Sequence, residues 1–95
     1  MKLLSKEEIV SNLQSLNEWH YSENSIVKEF IRKNFLDALS FLNRIGEKAE
    51  EMDHHPDVYL HSYNKLKIMI STHSAGGVTE KDFELVKRIE ALLNE

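Results

Sequence analysis

The stretch Leu66-Lys67-Ile68-Met69-Ile70-Ser71-Thr72-His73 decides the fold, because two sets of side chains alternate along it. Its first, third and fifth residues are apolar, and successive side chains of a β-strand point to opposite faces of the sheet. We therefore predict a strand from Leu66 to His73. Val58–Tyr63 is predicted as its partner strand, joined to it by a tight turn at Asn64-Lys65.

A second hairpin is predicted nearer the N-terminus. Its strands are Trp19–Ser22 and Ile26–Arg32, the second of which is rich in β-branched and aromatic residues. Glu23-Asn24 lies between them, and residues of this kind are favoured in turns. The alternation in Ile26–Arg32 is imperfect, so the side chains that face the core remain undetermined there.

Three helices flank and separate the hairpins, and each begins after a residue that can cap it. Ser5-Lys6-Glu7-Glu8 is a capping box that opens a helix ending near Asn17. Asn34 caps a longer helix to about Met52, and Thr79 caps the last one. The order α-ββ-α-ββ-α predicts an α+β fold, a four-stranded antiparallel sheet with the helices packed on one face.

Composition limits the classes to which the chain can belong. Its 95 residues, 41% hydrophobic and 29% charged, predict a single globular domain over residues 1–95. The net charge of −4 argues against direct nucleic-acid binding, which needs a basic surface. There are no cysteines, and no apolar run approaches the roughly 20 residues that span a bilayer. Met1–Ser5 lacks the apolar core of a signal peptide, so we expect a cytoplasmic protein without a membrane partner.

Histidines and carboxylates concentrate in one part of the chain. Glu50 and the run Asp53-His54-His55-Pro56 lie at the end of the predicted second helix, and His73 ends the predicted fourth strand. A histidine has an ordinary pKa of about 6.5, so it exchanges protons near neutral pH. Several imidazoles with neighbouring acids are therefore typical of a site that donates and accepts protons.

Each of these residues also has a purely structural interpretation. Glu50 lies one helical turn before His54, so the two side chains can meet, but a carboxylate near a helix end is commonly just solvated. His73 falls on the strand face away from the core, where it lines an open pocket or is simply exposed. Asp82 completes a T-x-x-D box with Thr79, and capping of this kind is compatible with support of a site.

A zinc site is the rival interpretation of so many histidines, and the spacing disfavours it. Adjacent side chains in extended backbone point to opposite sides, so His54 and His55 cannot easily share one ion. The helical H-E-x-x-H pair of zinc proteases is absent. We therefore predict no metal site. His20 and His61 lie outside the cluster and are predicted to be surface residues.

At these residues the sequence resembles the pterin-4a-carbinolamine dehydratase family over nearly the whole chain. The resemblance is carried by A-E-E-M-D-H-H-P at 49–56, Y-N-K at 63–65, S-T-H at 71–73 and G-G-V-T-E-K-D at 76–82. It implies a hydro-lyase that converts 4a-hydroxytetrahydrobiopterin to quinonoid dihydropterin without metal or cofactor. That reaction recycles the pterin after aromatic amino-acid hydroxylation, so a functional link to a hydroxylase is implied as well.

The resemblance also implies roles for individual residues. His54, His55 and His73 match the family's three active-site histidines, with acid/base work expected of His54 and His73 and ring binding of His55. Lys81 departs from the arginine that relatives commonly carry beside the last aspartate. The expected substrate-binding set comprises Glu50, Asp53, Pro56, Ser71, Thr72, Ser74 and Asp82.

Two further expectations concern partners. Members of the family are dimers or tetramers, so the resemblance implies a homodimer or homotetramer. Some members serve as dimerisation cofactors of a homeodomain transcription factor. A coactivator-type binding module is therefore the alternative to the enzyme.

Overall fold

The computed structural model describes residues 2–94, which form three α-helices and a four-stranded antiparallel sheet. The predicted α+β fold and the order α-ββ-α-ββ-α are confirmed. The helices are α1 (Lys6–Leu13), α2 (Phe35–Met52) and α3 (Glu80–Leu92). The strands are β1 (His20–Ser22), β2 (Ser25–Ile31), β3 (Asp57–His61) and β4 (Lys65–Ile70).

The strands lie in the order β1-β2-β4-β3, which puts β4 inside the sheet between β2 and β3. Apolar residues of β4 pair with apolar residues on both sides, with Ile26 opposite Ile70 and Leu60 opposite Leu66. These side chains share one face of the sheet, because facing residues of paired strands point the same way. On that face Leu66, Ile68 and Ile70 are fully buried.

The helices cover this apolar face. Phe41 and Ile45 of α2 and Leu85 and Ile89 of α3 are fully buried in the same cluster as the sheet residues. Each such side chain stabilises the fold by about 1.5–3 kcal/mol when it leaves water. This packing therefore holds in place the end of the sheet at which β3 begins and β4 ends.

One charged side chain lies on the buried face of the sheet. Lys28 of β2 is 5% exposed, and its Nζ lies 2.9 Å from Oε2 of Glu90 in α3. The same oxygen accepts a hydrogen bond of 2.8 Å from Nε1 of Trp19. Because a buried charge is costly without a partner, Glu90 is what allows Lys28 to occupy a core position.

The helix starts agree with the prediction, but the end of α1 does not. Helix α1 ends at Leu13 instead of near Asn17. Beyond its middle, Nδ2 of Asn12 donates to the carbonyl of Glu8, and Oγ of Ser15 donates to the carbonyl of Asn12. Such side chains compete with the backbone for hydrogen bonds and weaken the continuation of a helix.

The turn between β3 and β4 was also predicted wrongly. His61 pairs with Lys65, so the loop is Ser62-Tyr63-Asn64 and not Asn64-Lys65, and φ is 49° at Ser62 and 58° at Tyr63. Three-residue loops are the next most common hairpin connections after two-residue turns. Ser62 and Tyr63, which have the positive φ, are neither glycine nor asparagine, so Asn64 was the main turn signal in this loop.

Two glycines test how backbone conformation sets stability. Gly46 lies in the middle of α2, and a Cβ placed there meets no heavy atom within 4 Å. Glycine inside a helix costs about 0.5–1 kcal/mol relative to alanine. We therefore expect Gly46→Ala to raise the free energy of unfolding by that amount, measured by urea unfolding at fixed protein concentration.

Gly76→Ala is the matched control, because a Cβ at Gly76 is equally unobstructed. The φ of Gly76 is +79°, which strains an alanine. This substitution should lower the free energy of unfolding. A loss of stability in Gly46→Ala would contradict the expectation for α2.

Candidate active site

A cavity of about 310 Å³ lies where three segments of the chain meet. The first segment follows α2, the second follows β4, and the third is the start of α3. The residues that line the cavity are Asp53, His54, His55, Ser71, Thr72, His73, Ser74 and Lys81.

The first segment is shaped by the end of α2. Asp53 is the C-cap of this helix and has left-handed backbone angles, φ 50° and ψ 45°. The backbone N–H of His54 then bonds back to the carbonyl of Ala49 at 3.0 Å. Aspartate is one of the few residues other than glycine that enter this region readily. The chain therefore turns sharply just before the two histidines, and Pro56 leads it into β3.

The second segment is a short closed turn after β4. The strand ends at Ile70, and a 3₁₀ helix runs over His73–Ala75. The backbone N–H of Thr72 bonds to the carbonyl of Gly77 at 2.8 Å, which closes the turn. The prediction that His73 ends the fourth strand is therefore wrong. His73 begins the 3₁₀ helix, where it is exposed to the cavity.

The third segment is the N-terminus of α3, which is capped as predicted. Thr79 and Asp82 form a capping box, and the backbone N–H of Thr79 donates to Oδ2 of Asp82 at 2.7 Å. The hydroxyl of Thr72 donates to the same oxygen at 3.0 Å. The carboxylate of Asp82, which is fully buried, therefore joins the turn after β4 to the helix.

The other oxygen of Asp82 holds His54. Nε2 of His54 lies 2.6 Å from Oδ1 of Asp82, and the His54 residue is 8% exposed. An ionised carboxylate only accepts hydrogen bonds, so Nε2 is the nitrogen that carries the proton in this pair. The contact fixes the orientation of the ring and does not involve Nδ1.

Glu50 pairs with His55 and not with His54, which corrects the predicted contact. Nε2 of His55 hydrogen-bonds Oε2 of Glu50, with side chains 54% and 77% exposed. The left-handed residue Asp53 ends the helix before His54, so the one-turn relation between Glu50 and His54 is lost. Exposed polar contacts of this kind contribute little to stability, and this one holds His55 beside Glu50.

The structure brings most of the predicted site residues together. All three histidines, with Asp53, Ser71, Thr72 and Ser74, line the cavity, while Asp82 lies buried behind His54. Glu50 and Pro56 are not among the lining residues. Lys81 lines the cavity although it was not predicted as a site residue, and its only signal was its place beside Asp82 in the motif.

The remaining histidines lie elsewhere on the sheet. His20 is exposed, whereas His61 is partly buried, stacked on Tyr59 and bonded to Glu29 at 2.5 Å. Among residues 2–94, no three histidine, aspartate or glutamate side chains are grouped so that they could hold a metal ion. Over the same residues, no helix combines the length and the apolar character needed to cross a membrane.

Known proteins also combine an α+β fold with a histidine-lined cavity at one end of the sheet. The family model described as Pterin 4 alpha carbinolamine dehydratase matches residues 2–92. A crystal structure described as a transcriptional coactivator/pterin dehydratase from Brucella melitensis superposes with a TM-score of 0.88. It is 30% identical, over 95% of this chain and 97% of that one.

Curated relatives agree. A protein of Sulfolobus acidocaldarius is 45% identical over 89 residues, which cover 94% of this chain and 97% of the relative. A protein of Aquifex aeolicus is 39% identical over 95 residues, covering 100% and 95%. Both carry the name pterin-4-alpha-carbinolamine dehydratase as a provisional assignment.

The chain therefore belongs to the pterin 4 alpha carbinolamine dehydratase family. This confirms the resemblance found in the sequence and the prediction of an enzyme of the hydro-lyase class. A more distant structure, described as a pterin dehydratase-like RuBisCO assembly factor of the alpha-carboxysome, is 19% identical with a TM-score of 0.65. It shares the fold.

Asp82→Asn tests the junction beneath the cavity. The carboxylate accepts hydrogen bonds from Thr79 and Thr72 at one oxygen and contacts His54 at the other. An asparagine has one acceptor oxygen instead of two, so either His54 or the pair Thr72 and Thr79 would face an NH₂ group. We therefore expect a loss of about 1–3 kcal/mol in the free energy of unfolding. Urea unfolding measures the change. Asp57→Asn, at an exposed carboxylate of β3, is the control, and equal stability of the two variants would refute the role of Asp82.

Proposed function

We propose that this protein converts 4a-hydroxytetrahydrobiopterin to quinonoid dihydropterin and water, with histidines as acid and base. The observation that carries the proposal is the buried His54–Asp82 pair in a cavity that two further imidazoles line. Membership of the family supports the pterin substrate. The cavity volume of about 310 Å³ also falls in the range of small-molecule sites.

The reaction needs two proton transfers and no redox step. The bond between C4a and the hydroxyl oxygen breaks, and a proton given to that oxygen lets it leave as water. The proton on N5 is removed, and its electron pair forms the double bond between N5 and C4a. One proton is given and one is taken, so an acid and a base suffice.

His54 is our candidate for the base. The carboxylate of Asp82, 2.6 Å from Nε2, stabilises the imidazolium that forms when Nδ1 takes a proton. Burial of the pair keeps water from screening this interaction. A base that is already oriented in this way does not need to reorganise during the reaction.

His73 is our candidate for the acid. It is exposed to the cavity and to solvent, so it can regain a proton from water after each turnover. The 3₁₀ helix and the bond between Thr72 and Gly77 fix its backbone. His55, held by Glu50 at the rim, would bind the ring, together with the hydroxyls of Ser71 and Ser74 and the carboxylate of Asp53.

Kinetics of single variants test these roles. We expect His73→Ala and His54→Gln to lower kcat by about 10²–10⁴-fold, because each removes proton transfer in the transition state. Glutamine is chosen at His54 because alanine would leave the buried Asp82 carboxylate without its partner. His55→Ala should mainly raise KM. The assay follows loss of the 4a-carbinolamine absorbance.

His20→Ala and His61→Ala are the controls, since both residues lie on the sheet outside the cavity. They should keep kcat and KM of the wild type. Wild-type kcat/KM in both His73→Ala and His54→Gln would end the histidine mechanism. Circular dichroism of each variant checks that it is folded.

The biological setting follows from the reaction. A quinonoid dihydropterin is the form that a reductase returns to tetrahydropterin, so we propose a role in pterin recycling beside an aromatic amino-acid hydroxylase. The description of the Brucella melitensis structure as a coactivator supports one alternative, a protein-binding module. The two functions differ in the test above, because a binding module needs no histidine acid and base.

We also propose that the protein is a homodimer or homotetramer. Large apolar side chains are exposed on α2, with Phe35 48% and Leu36 75% exposed, and on the edge strand β3, with Val58 43% exposed. Apolar surface of this kind is commonly covered by a partner.

The oligomer is tested by sedimentation equilibrium at micromolar concentration. We expect a mass of two or four times the 11.1 kDa of one chain. Leu36→Lys should shift the equilibrium toward single chains if α2 is part of the interface, and Val58→Lys should do so if β3 is. A mass of 11.1 kDa for the wild type at all concentrations would refute the oligomer.

A further inference from the structure

We infer that Lys81 makes the site selective for pterins whose side chain carries a negative charge, a carboxylate or a phosphate. This inference rests on the proposed function: the cavity accepts the pterin ring of 4a-hydroxytetrahydrobiopterin, and Lys81 favours those pterins that carry an anionic substituent on that ring. Lys81 lines the cavity with the three histidines. It is the only lysine or arginine among the described residues that line the cavity, whose other members are histidine, serine, threonine and aspartate.

The position of Lys81 has no explanation in helix stability. It is the second residue of α3, between Glu80 and Asp82. The positive end of the helix dipole lies there, so a cation is disfavoured at this position and an acid is preferred. The sequence follows that preference at Glu80 and Asp82 and breaks it at Lys81.

No acidic neighbour neutralises Lys81. Within residues 2–94 its ammonium group forms no ion pair, and Asp53, the only carboxylate that lines the cavity, is not within ion-pair distance. Asp82 is turned inward to Thr79 and His54, and Glu80 lies outside the cavity. The charge is therefore available to a bound molecule.

The backbone beneath this charge is fixed. The N–H of Lys81 donates to Oγ1 of Thr79 at 3.2 Å, as part of the capped first turn of α3. The side chain is partly buried, so only its outer part is flexible. A lysine acts as a point charge with mobile donors, which suits an anionic group at the end of a flexible substituent. The pterin ring itself is uncharged and can be held by the neutral donors and acceptors of the cavity.

Two stable, fluorescent oxidised pterins test this without turnover. Pterin-6-carboxylate has a charged substituent, and 6-hydroxymethylpterin has a neutral one of similar size. Fluorescence titration of the folded wild type should give about tenfold tighter binding of the carboxylate, which corresponds to about 1.4 kcal/mol. The preference should shrink in 1 M salt, because salt screens the charge.

Three variants assign the preference to Lys81. In Lys81→Gln the ratio of the two dissociation constants should fall to about one, whereas Lys81→Arg should keep it. Lys87→Gln is the matched control, because it removes the same charge from α3 at an exposed residue outside the cavity, and it should keep the wild-type ratio. A ratio near one in the wild type, or an unchanged ratio in Lys81→Gln, would overturn the inference.

The outcome is separable from that of the proposed function. If the wild type dehydrates the neutral 4a-hydroxytetrahydrobiopterin but binds both oxidised pterins equally, the selectivity is wrong and the dehydratase stands. If it binds neither pterin and shows no turnover, both proposals fail.

Discussion

The carboxylate of Asp82 is the group on which the arrangement of this site depends. It has no exposed surface, and its two oxygens contact Thr79, Thr72 and His54, one residue from each segment that forms the cavity. An ion in such a place is stable only when hydrogen bonds replace the water that it loses. The three segments can therefore meet in few ways other than the one observed. The same carboxylate caps α3, ties the turn after β4 to this helix and orients His54.

The neighbouring histidines show how one residue of backbone separates two chemical environments. The left-handed angles of Asp53 send His54 inward, where it is buried on Asp82, while His55 stays in solvent with Glu50. Two identical side chains thus differ in dielectric, in partner and in freedom of motion. The proposed reaction therefore assigns proton transfer to the fixed, buried ring and contact with the substrate to the exposed one.

Local signals in the sequence predicted most of the fold. Asn34 and Thr79 identified the starts of α2 and α3, and the alternation in β4 identified the buried face of the sheet. Errors arose where a contact between distant residues decides the structure. His54 and Asp82 are 28 residues apart, so their contact could not be read from helical spacing, and Glu50 was given the wrong histidine.

The errors in the end of the fourth strand and in the list of predicted site residues had similar causes. The backbone hydrogen bond from Thr72 to Gly77 ends the strand early and places His73 in a 3₁₀ helix. No pattern of side chains in the sequence indicates such a bond. The family resemblance supplied candidate site residues that spacing could not. It did not identify Lys81 as a lining residue, since that depends on the direction in which α3 leaves the cavity.

The pair formed by the buried Lys28 and the partly buried Glu90 has a consequence for strand pairing. Apolar contacts alone specify register weakly in β2, where Ile26 and Val27 are both buried on opposite faces. A slip of one residue would move Lys28 to the open face and leave Glu90, which also accepts a hydrogen bond from the indole N–H of Trp19, without its charged partner. Misaligned sheets are thus penalised by electrostatics as well as by packing, and the chain is guided to one alignment of β2 on β4.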